Sequence, residues 1–120
     1  VIEIGGVESL RGLRGINFRE EFLILVRERD IEKYLREMVK RIGGIAYKFE
    51  SPGNAGVPDR LVLLPGRVTY FVELKAPGKK PTALQKRQHT KIEKLGHKVL
   101  IIDSKEKVDE FIEFAKGVIL

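Results

Sequence analysis

Two apolar runs joined by a tight turn constrain the fold of this 120-residue chain more than any other feature. The runs cover residues 61–64 and 68–74, and Pro65-Gly66-Arg67 lies between them. Short apolar runs bounded by proline and glycine predict a β-hairpin. Because side chains alternate along a strand, Glu73 and Lys75 share one face, with their Cα atoms about 7 Å apart.

Polar side chains gather at the open end of this predicted hairpin. Asp59 begins the first strand and can reach the same place as Glu73 and Lys75. Two carboxylates and an ammonium are costly to group beside apolar strands unless something binds there. Taken singly, the residues leave simpler interpretations open: Asp59 follows Pro58 and suits a turn. Glu73 and Lys75 can form an exposed pair on a strand.

The charge of the chain is basic and unevenly distributed. The net charge is +6, yet residues 1–25 hold three Arg and four Glu, so the excess lies in the remainder. A basic excess on a folded body indicates a polyanionic partner, with nucleic acid as the first candidate. Ordinary solubilising charge is the alternative that composition alone leaves open.

Several classes of protein are excluded or disfavoured by composition. The chain has no cysteine, which excludes disulfides and thiolate zinc sites, and its two histidines make any zinc site unexpected. No apolar run approaches the roughly 20 residues of a membrane span, and no signal peptide is recognisable. We therefore expect a soluble, cytoplasmic protein without membrane contact.

Hydrophobic periodicity and capping residues predict an α/β domain with a mixed sheet of about four strands flanked by helices. The predicted elements are a helix from Asp30 to about Arg41, a strand from Ile45 to Glu50, the two hairpin strands, a helix after Thr82 to about Lys94, a strand from Lys98 to Ile102 and a helix after Ser104. Residues 26–120 form the predicted domain. Residues 1–25 are an extension of unclear structure in which only Phe18 to Val26 looks able to pack.

Side-chain spacing predicts which helix faces are buried. On the second predicted helix the expected inward cluster is Leu84, Gln88, Ile92 and Leu95, with Gln85 at its border, whereas His89 is expected to be solvated or internally satisfied. On the first helix Glu32 borders the apolar stripe and either forms a salt bridge or points into a site. That stripe comprises Ile31, Tyr34, Leu35, Met38, Val39 and Ile42.

Four sequence features together resemble the VRR-Nuc domain, the virus-type replication-repair nuclease branch of the PD-(D/E)XK superfamily. The features are Glu32, the loop Gly53-x-x-Gly56-x-Pro58-Asp59, the pair Glu73-x-Lys75, and Gln85 on the following helix. The resemblance spans about residues 27–114 and is typical of stand-alone phage and bacterial members. It implies a restriction-endonuclease-like αβββαβ core.

The resemblance implies a Mg²⁺- or Mn²⁺-dependent endodeoxyribonuclease. In such a site Asp59, Glu73 and the backbone carbonyl of Leu74 hold the metal, and Glu32 binds a second metal or acts through a water. Lys75 holds and polarises the attacking water or stabilises the charged transition state. Gln85 donates to the phosphate or orients the lysine.

A basic surface follows the motif residues and is a candidate for binding the DNA backbone. Duplex or branched DNA is the expected partner, because no aromatic platform for single strands is present. Small relatives of this type suggest a homodimeric enzyme that resolves four-way (Holliday) junctions, and a catalytically silent DNA-binding module is the alternative. A solvated face is the simpler interpretation of the surface. The residues of this basic surface are Lys79, Lys80, Lys86, Arg87 and Lys91.

Overall fold

A computed structural model describes residues 18–119 and, within them, contains three helices and four strands. The elements are α1 (Phe18–Arg41), β1 (Ile45–Lys48), β2 (Arg60–Leu64), β3 (Val68–Leu74), α2 (Ala83–Lys94), β4 (Val99–Ile102) and α3 (Lys105–Ile119). The order of helices and strands predicted from periodicity is therefore confirmed.

The strands form one mixed sheet in the order β1-β2-β3-β4. The pairs β1–β2 and β2–β3 are antiparallel, whereas β4 runs parallel to β3 after the crossover through α2. The predicted hairpin is β2–β3, and its turn holds Gly66 and Arg67 at φ values of 78° and 65°. The prediction of a mixed four-stranded α/β domain is thus correct.

One face of the sheet carries the hydrophobic core beneath α1 and α3. The predicted stripe of α1 is confirmed, because Ile31, Leu35 and Val39 are buried and its other members pack partly buried against them. Ser104 caps α3 by accepting a hydrogen bond from the backbone N–H of Lys107 at 3.1 Å. The core also takes Val62, Leu64, Tyr70, Val72, Leu74, Ile102, Val108, Phe111, Ile112 and Ala115.

Helix α1 begins far earlier than the sequence predicted. Asp30 is not an N-cap but an interior helical residue, and its carboxylate pairs with the Lys105 ammonium at 3.0 Å. The stretch 18–41 contains neither glycine nor proline, so nothing in it stops a helix that starts at Phe18. The part of the predicted extension before Phe18 lies outside the described residues.

The buried face of α2 also differs from the prediction. Thr82 and Gln85 form the expected capping box, but Leu84 and Leu95 are 44% and 77% exposed. Gln85 and His89 are buried in their place. The reason is that α2 does not cover the apolar core but packs over the opposite face of the sheet, where the polar side chain of Glu73 lies.

The three helices of residues 18–119 give no candidate for a membrane span, since none combines enough length with enough apolar character.

Candidate active site

Asp59 and Glu73 face each other across the open end of the β2–β3 hairpin. Arg60 pairs with Val72, and the same register continued by one residue sets Asp59 opposite Glu73. Directly opposed residues of an antiparallel pair have neighbouring side chains. Asp59 is held further by the backbone N–H of Leu74, which donates to Asp59 Oδ2 at 2.8 Å.

The two carboxyl groups share one buried electrostatic environment. Glu73 is completely buried, and burial is the main reason that its pKa rises from 4.5 to about 8. A hydrogen bond with Asp59 and the negative charge of Asp59 raise this pKa further. Two adjacent carboxylates that repel each other favour one retained proton, in keeping with the raised pKa of Glu73.

Lys75 brings a positive charge to the same place. Its side chain is only 7% exposed, and its backbone N–H donates to the carbonyl of Ile102 at 3.0 Å, which fixes it just beyond the end of β3. Burial raises the pKa of Glu28 and lowers that of His89; the positive charge of Lys75 opposes the first shift and adds to the second, so its ammonium acts on both side chains. The predicted grouping of Asp59, Glu73 and Lys75 is therefore present.

Glu28 is a member of the site that the sequence prediction missed. It is 7% exposed and lines the same cleft as Asp59. Burial first, and the charge of Asp59 in addition, raise its pKa from 4.5 to about 7. The signal was its spacing, seven residues before the buried Leu35, but a helix predicted to begin at Asp30 left Glu28 outside it.

Glu32 lies at the border of the core, as predicted, and its carboxylate is engaged by two guanidinium groups. Arg36 Nε donates to Glu32 Oε1 at 2.6 Å, and Arg60 Nη2 donates to the same oxygen. Arg60 also donates to the carbonyl of Ala46 at 3.4 Å. The salt-bridge alternative thus describes Glu32 in this structure, while its role toward a metal stays a prediction.

Gln85 and His89 are buried on successive turns of α2, and His89 reaches Glu73. The side-chain oxygen of Gln85 accepts from the backbone N–H of Thr82 at 2.9 Å, so this oxygen is engaged in the capping box of the helix. His89 Nε2 lies 3.2 Å from Glu73 Oε1. Burial lowers the pKa of His89, so its ring is held in the neutral form.

A cleft of about 310 Å³ opens beside Asp59. Its lining combines acidic side chains, among them Glu28 and Asp59, with the cations of Arg29, Lys48 and Arg60. Such a lining suits the binding of a phosphate: the basic side chains attract it, and a metal cation can lie between it and the carboxylates. The predicted basic surface lies elsewhere, on the loop after Lys75 and on α2, and all five of its side chains are exposed.

The donor set suits a hard divalent cation with few protein ligands. Among residues 18–119 no group of three or more acidic or histidine side chains lies at metal-binding spacing. Asp59 and Glu73 offer two carboxylates, and the backbone carbonyl of Leu74, which follows Glu73 in the sequence, is the third ligand that the family resemblance implies. Mg²⁺ is commonly bound by one or two carboxylates with water and substrate phosphate as its other ligands. When such a cation replaces the proton that the two carboxyl groups share, it removes the repulsion between the ionised groups and so stabilises the pair.

Comparison with known proteins places this arrangement in a family. No family model matches the chain. A protein of Acyrthosiphon pisum secondary endosymbiont phage 1, described as "Putative nuclease p44", is 57% identical over 82 residues, which cover 68% of this chain and 88% of that protein. A solved structure described as "VRR_NUC domain" superposes with a TM-score of 0.69 at 38% identity, over 72% of this chain and 95% of that one. The chain belongs to the VRR-Nuc family.

Proposed function

We propose that this protein is a metal-dependent DNA endonuclease that hydrolyses phosphodiester bonds. The observation that carries the proposal is the opposition of Asp59 and Glu73, completed by the buried ammonium of Lys75. The phage relative described as a nuclease and the VRR-Nuc structure support the same activity.

Asp59, Glu73 and the Leu74 carbonyl are the proposed ligands of Mg²⁺ or Mn²⁺. When bound, the ion would neutralise the scissile phosphate and increase the acidity of the attacking water. The backbone N–H of Leu74 already orients Asp59, so the ligand at the start of β2 is fixed relative to β3. Such preorganisation lowers the cost of assembling the site on substrate binding.

Lys75 and Gln85 are the proposed groups that act on the reacting phosphate. The Lys75 ammonium would hold the attacking water or stabilise the charge that develops on the phosphate as the P–O bond to the leaving strand breaks. The NH2 group of Gln85 would donate to a nonbridging phosphate oxygen. Both side chains are buried on the sheet face that α2 covers, and burial strengthens these interactions.

The first helix would contribute Glu28 to the reaction centre. Glu28 shares the cleft with Asp59 and responds to its charge, whereas Glu32 would have to give up two guanidinium partners to bind a second metal. We therefore assign the helical carboxylate to Glu28. The proposed task of Glu32 is to hold Arg60 in the lining of the cleft, where it would contact a phosphate of the bound strand.

The substrate that we propose is duplex or branched DNA, with a four-way junction as the specific candidate. The exposed basic surface on α2 and on the loop before it would contact backbone phosphates without reading bases. Each chain offers one reaction centre, whereas resolution of a junction requires two symmetric cuts. A homodimer with twofold symmetry satisfies that requirement.

A catalytically silent DNA-binding module on the same fold is the competing interpretation. Asp59, Glu73 and Lys75 argue against it, because a buried carboxyl group and a buried lysine beside the half-buried Asp59 carry a cost that binding DNA backbone does not need. The two functions differ in one measurable respect, which is whether DNA is cut when metal is supplied.

A cleavage assay with defined substrates tests the proposal. Linear duplex, flap, splayed and four-way DNA are incubated with the protein in Mg²⁺, in Mn²⁺ or in EDTA, beside an Asp59→Ala variant. We expect metal-dependent cutting by the wild type, with preference for the branched substrates, and none by the variant. Binding of all substrates without cutting in either metal would identify the silent module. Light scattering of the same preparation would report the proposed dimer.

A further inference from the structure

His89 occupies a position that neither the motif residues nor the composition explains. It is 5% exposed, lies one helical turn after Gln85 on α2, and places its Nε2 atom 3.2 Å from Oε1 of the completely buried Glu73. A buried histidine needs partners for its ring nitrogens. Its partner in this protein is Glu73, which we propose as a metal ligand, so the contact bears on metal binding as well as on packing.

We propose that His89 is a positioning residue for the metal site: its Nε2–H group holds Oε1 of Glu73 and so presents the other carboxylate oxygen of Glu73 toward Asp59. This inference rests on the proposed metal site. A carboxylate that binds a metal has two equivalent oxygens and a rotatable terminal torsion. A hydrogen bond to one oxygen removes that freedom and stabilises the ionised ligand.

The helical geometry makes this orientation rigid. Gln85 and His89 are four residues apart and so lie on the same side of α2. The capping box at Thr82 fixes the start of the helix through hydrogen bonds of 2.9 Å and 3.2 Å. Close packing holds α2 at the glycine loop, because a Cβ atom on Gly56 would lie 2.9 Å from the Leu84 carbonyl oxygen. The imidazole of His89 therefore contacts Glu73 from a helix whose position is fixed at its N-terminal end.

The chain contains a matched control for this contact. His97 is the only other histidine in the sequence, and it is exposed, with its ring 6.1 Å from the ring of Phe71. The same substitution at His97 changes histidine content and surface polarity without touching Glu73. Differences between the two variants therefore report the position of the imidazole.

The test is Mn²⁺ binding by calorimetry on the full chain without DNA, for the wild type and for His89→Leu, His89→Gln, His89→Asn and His97→Leu. Loss of a hydrogen bond that orients a metal ligand typically weakens metal binding about 10- to 100-fold. We expect that loss in His89→Leu and in His89→Asn. We expect near-wild-type binding in His89→Gln, whose amide nitrogen reaches about as far as Nε2, and in His97→Leu.

The glutamine and asparagine variants decide the question even if His89→Leu does not fold. Both keep a polar amide on α2, and melting temperatures in EDTA verify that both are folded. Equal Mn²⁺ affinity in these two variants, or wild-type affinity in a folded His89→Leu, would overturn the positioning role. A wild type that binds no Mn²⁺, or an Asp59→Ala variant that binds it unchanged, would instead overturn the metal site on which the inference rests.

Discussion

The side chain of Asp59 accepts a hydrogen bond from the backbone N–H of Leu74 at 2.8 Å, which ties the residue before β2 to the end of β3. The bond places the Asp59 carboxylate beside Glu73. It also explains how two carboxylates that repel each other remain together, since a charge-assisted bond to the backbone offsets part of that repulsion.

Replacing Asp59 by asparagine should separate the fold from the chemistry. The side-chain oxygen of asparagine can still accept from Leu74 N–H, so we expect a folded protein that binds DNA at least as well as the wild type. Cleavage should fall by about 100-fold or more, because a neutral amide is a poor ligand for a hard cation. Single-turnover cleavage and gel-shift titration measure the two effects. Wild-type cleavage by Asp59→Asn would remove Asp59 from the site.

Lys75 tests the mechanism, because its ammonium binds no cation itself. Lys75→Ala should slow single-turnover cleavage by about 100-fold or more, the usual scale for a positioned proton-transfer or charge-stabilising group. Metal affinity should not fall, since the change removes a like charge. Lys75→Arg should not restore the rate, because a planar guanidinium does not replace a compact ammonium in a buried site. Normal chemistry in Lys75→Ala would show that the lysine is structural.

Glu28 and Glu32 should give different kinetic signatures. We expect Glu28→Gln to reduce the single-turnover rate strongly with little effect on DNA affinity, because Glu28 is buried and the charge of Asp59 acts on it. We expect Glu32→Gln mainly to weaken DNA binding, because it releases Arg60 from its ion pair.

A double-mutant cycle between Glu32 and Arg60 extends this test. Residues that act through a shared contact show non-additive effects, so combining Glu32→Gln with Arg60→Gln should weaken DNA binding less than the sum of the single changes. A rate defect in Glu32→Gln equal to that of Glu28→Gln would return Glu32 to the reaction centre.

Neutralising the exposed basic surface should weaken DNA binding without sequence preference. The triple change of Lys79, Lys80 and Arg87 to glutamine should lower affinity similarly for unrelated sequences, and should reduce the slope of log affinity against log salt by nearly one for each lost phosphate contact. Lys105 and Lys107, which pair with Asp30 and Asp103, serve as control positions. An unchanged slope would mean that the surface does not contact DNA.

The stability of the metal-free protein should depend on pH through Glu73. Because burial raises the pKa of Glu73 from 4.5 to about 8, its contribution to stability is complete below a pH of about 4.5 and is lost as the pH rises through about 8. Glu73→Gln does not titrate, so in EDTA the wild type should lose stability relative to this variant between pH 5 and pH 9. Each unit of pKa corresponds to about 1.4 kcal/mol, which amounts to several degrees in melting temperature.

Metal should reverse this dependence in the wild type only. A cation binds the ionised carboxylates, so Mn²⁺ should raise the melting temperature of the wild type most at high pH and leave Glu73→Gln almost unchanged. Thermal melts in EDTA and in Mn²⁺ across that range measure both effects. Parallel pH curves for the two proteins in EDTA would contradict the burial of an ionisable group at Glu73.

The sequence alone was sufficient for the elements whose signals are local. Alternation along residues 61–64 and 68–74 predicted the hairpin and the shared face of Glu73 and Lys75, since side chains of a strand point to opposite faces in turn. Helical spacing predicted the buried stripe of α1. Thr82 and Ser104 marked the starts of α2 and α3, because a cap acts on its own first turn.

Only the tertiary structure determined which surfaces of the helices and strands pack against each other. Periodicity assumes that a helix buries its apolar side, yet α2 turns Gln85 and His89 inward because it covers the polar face of the sheet at Glu73. Likewise, the approach of Arg60 to Glu32 depends on how β2 packs beside α1. Glu28 joins the site because α1 continues past Asp30, where a local capping signal is overridden by an unbroken helical stretch. Contacts between residues distant in sequence follow from packing, which no local pattern encodes.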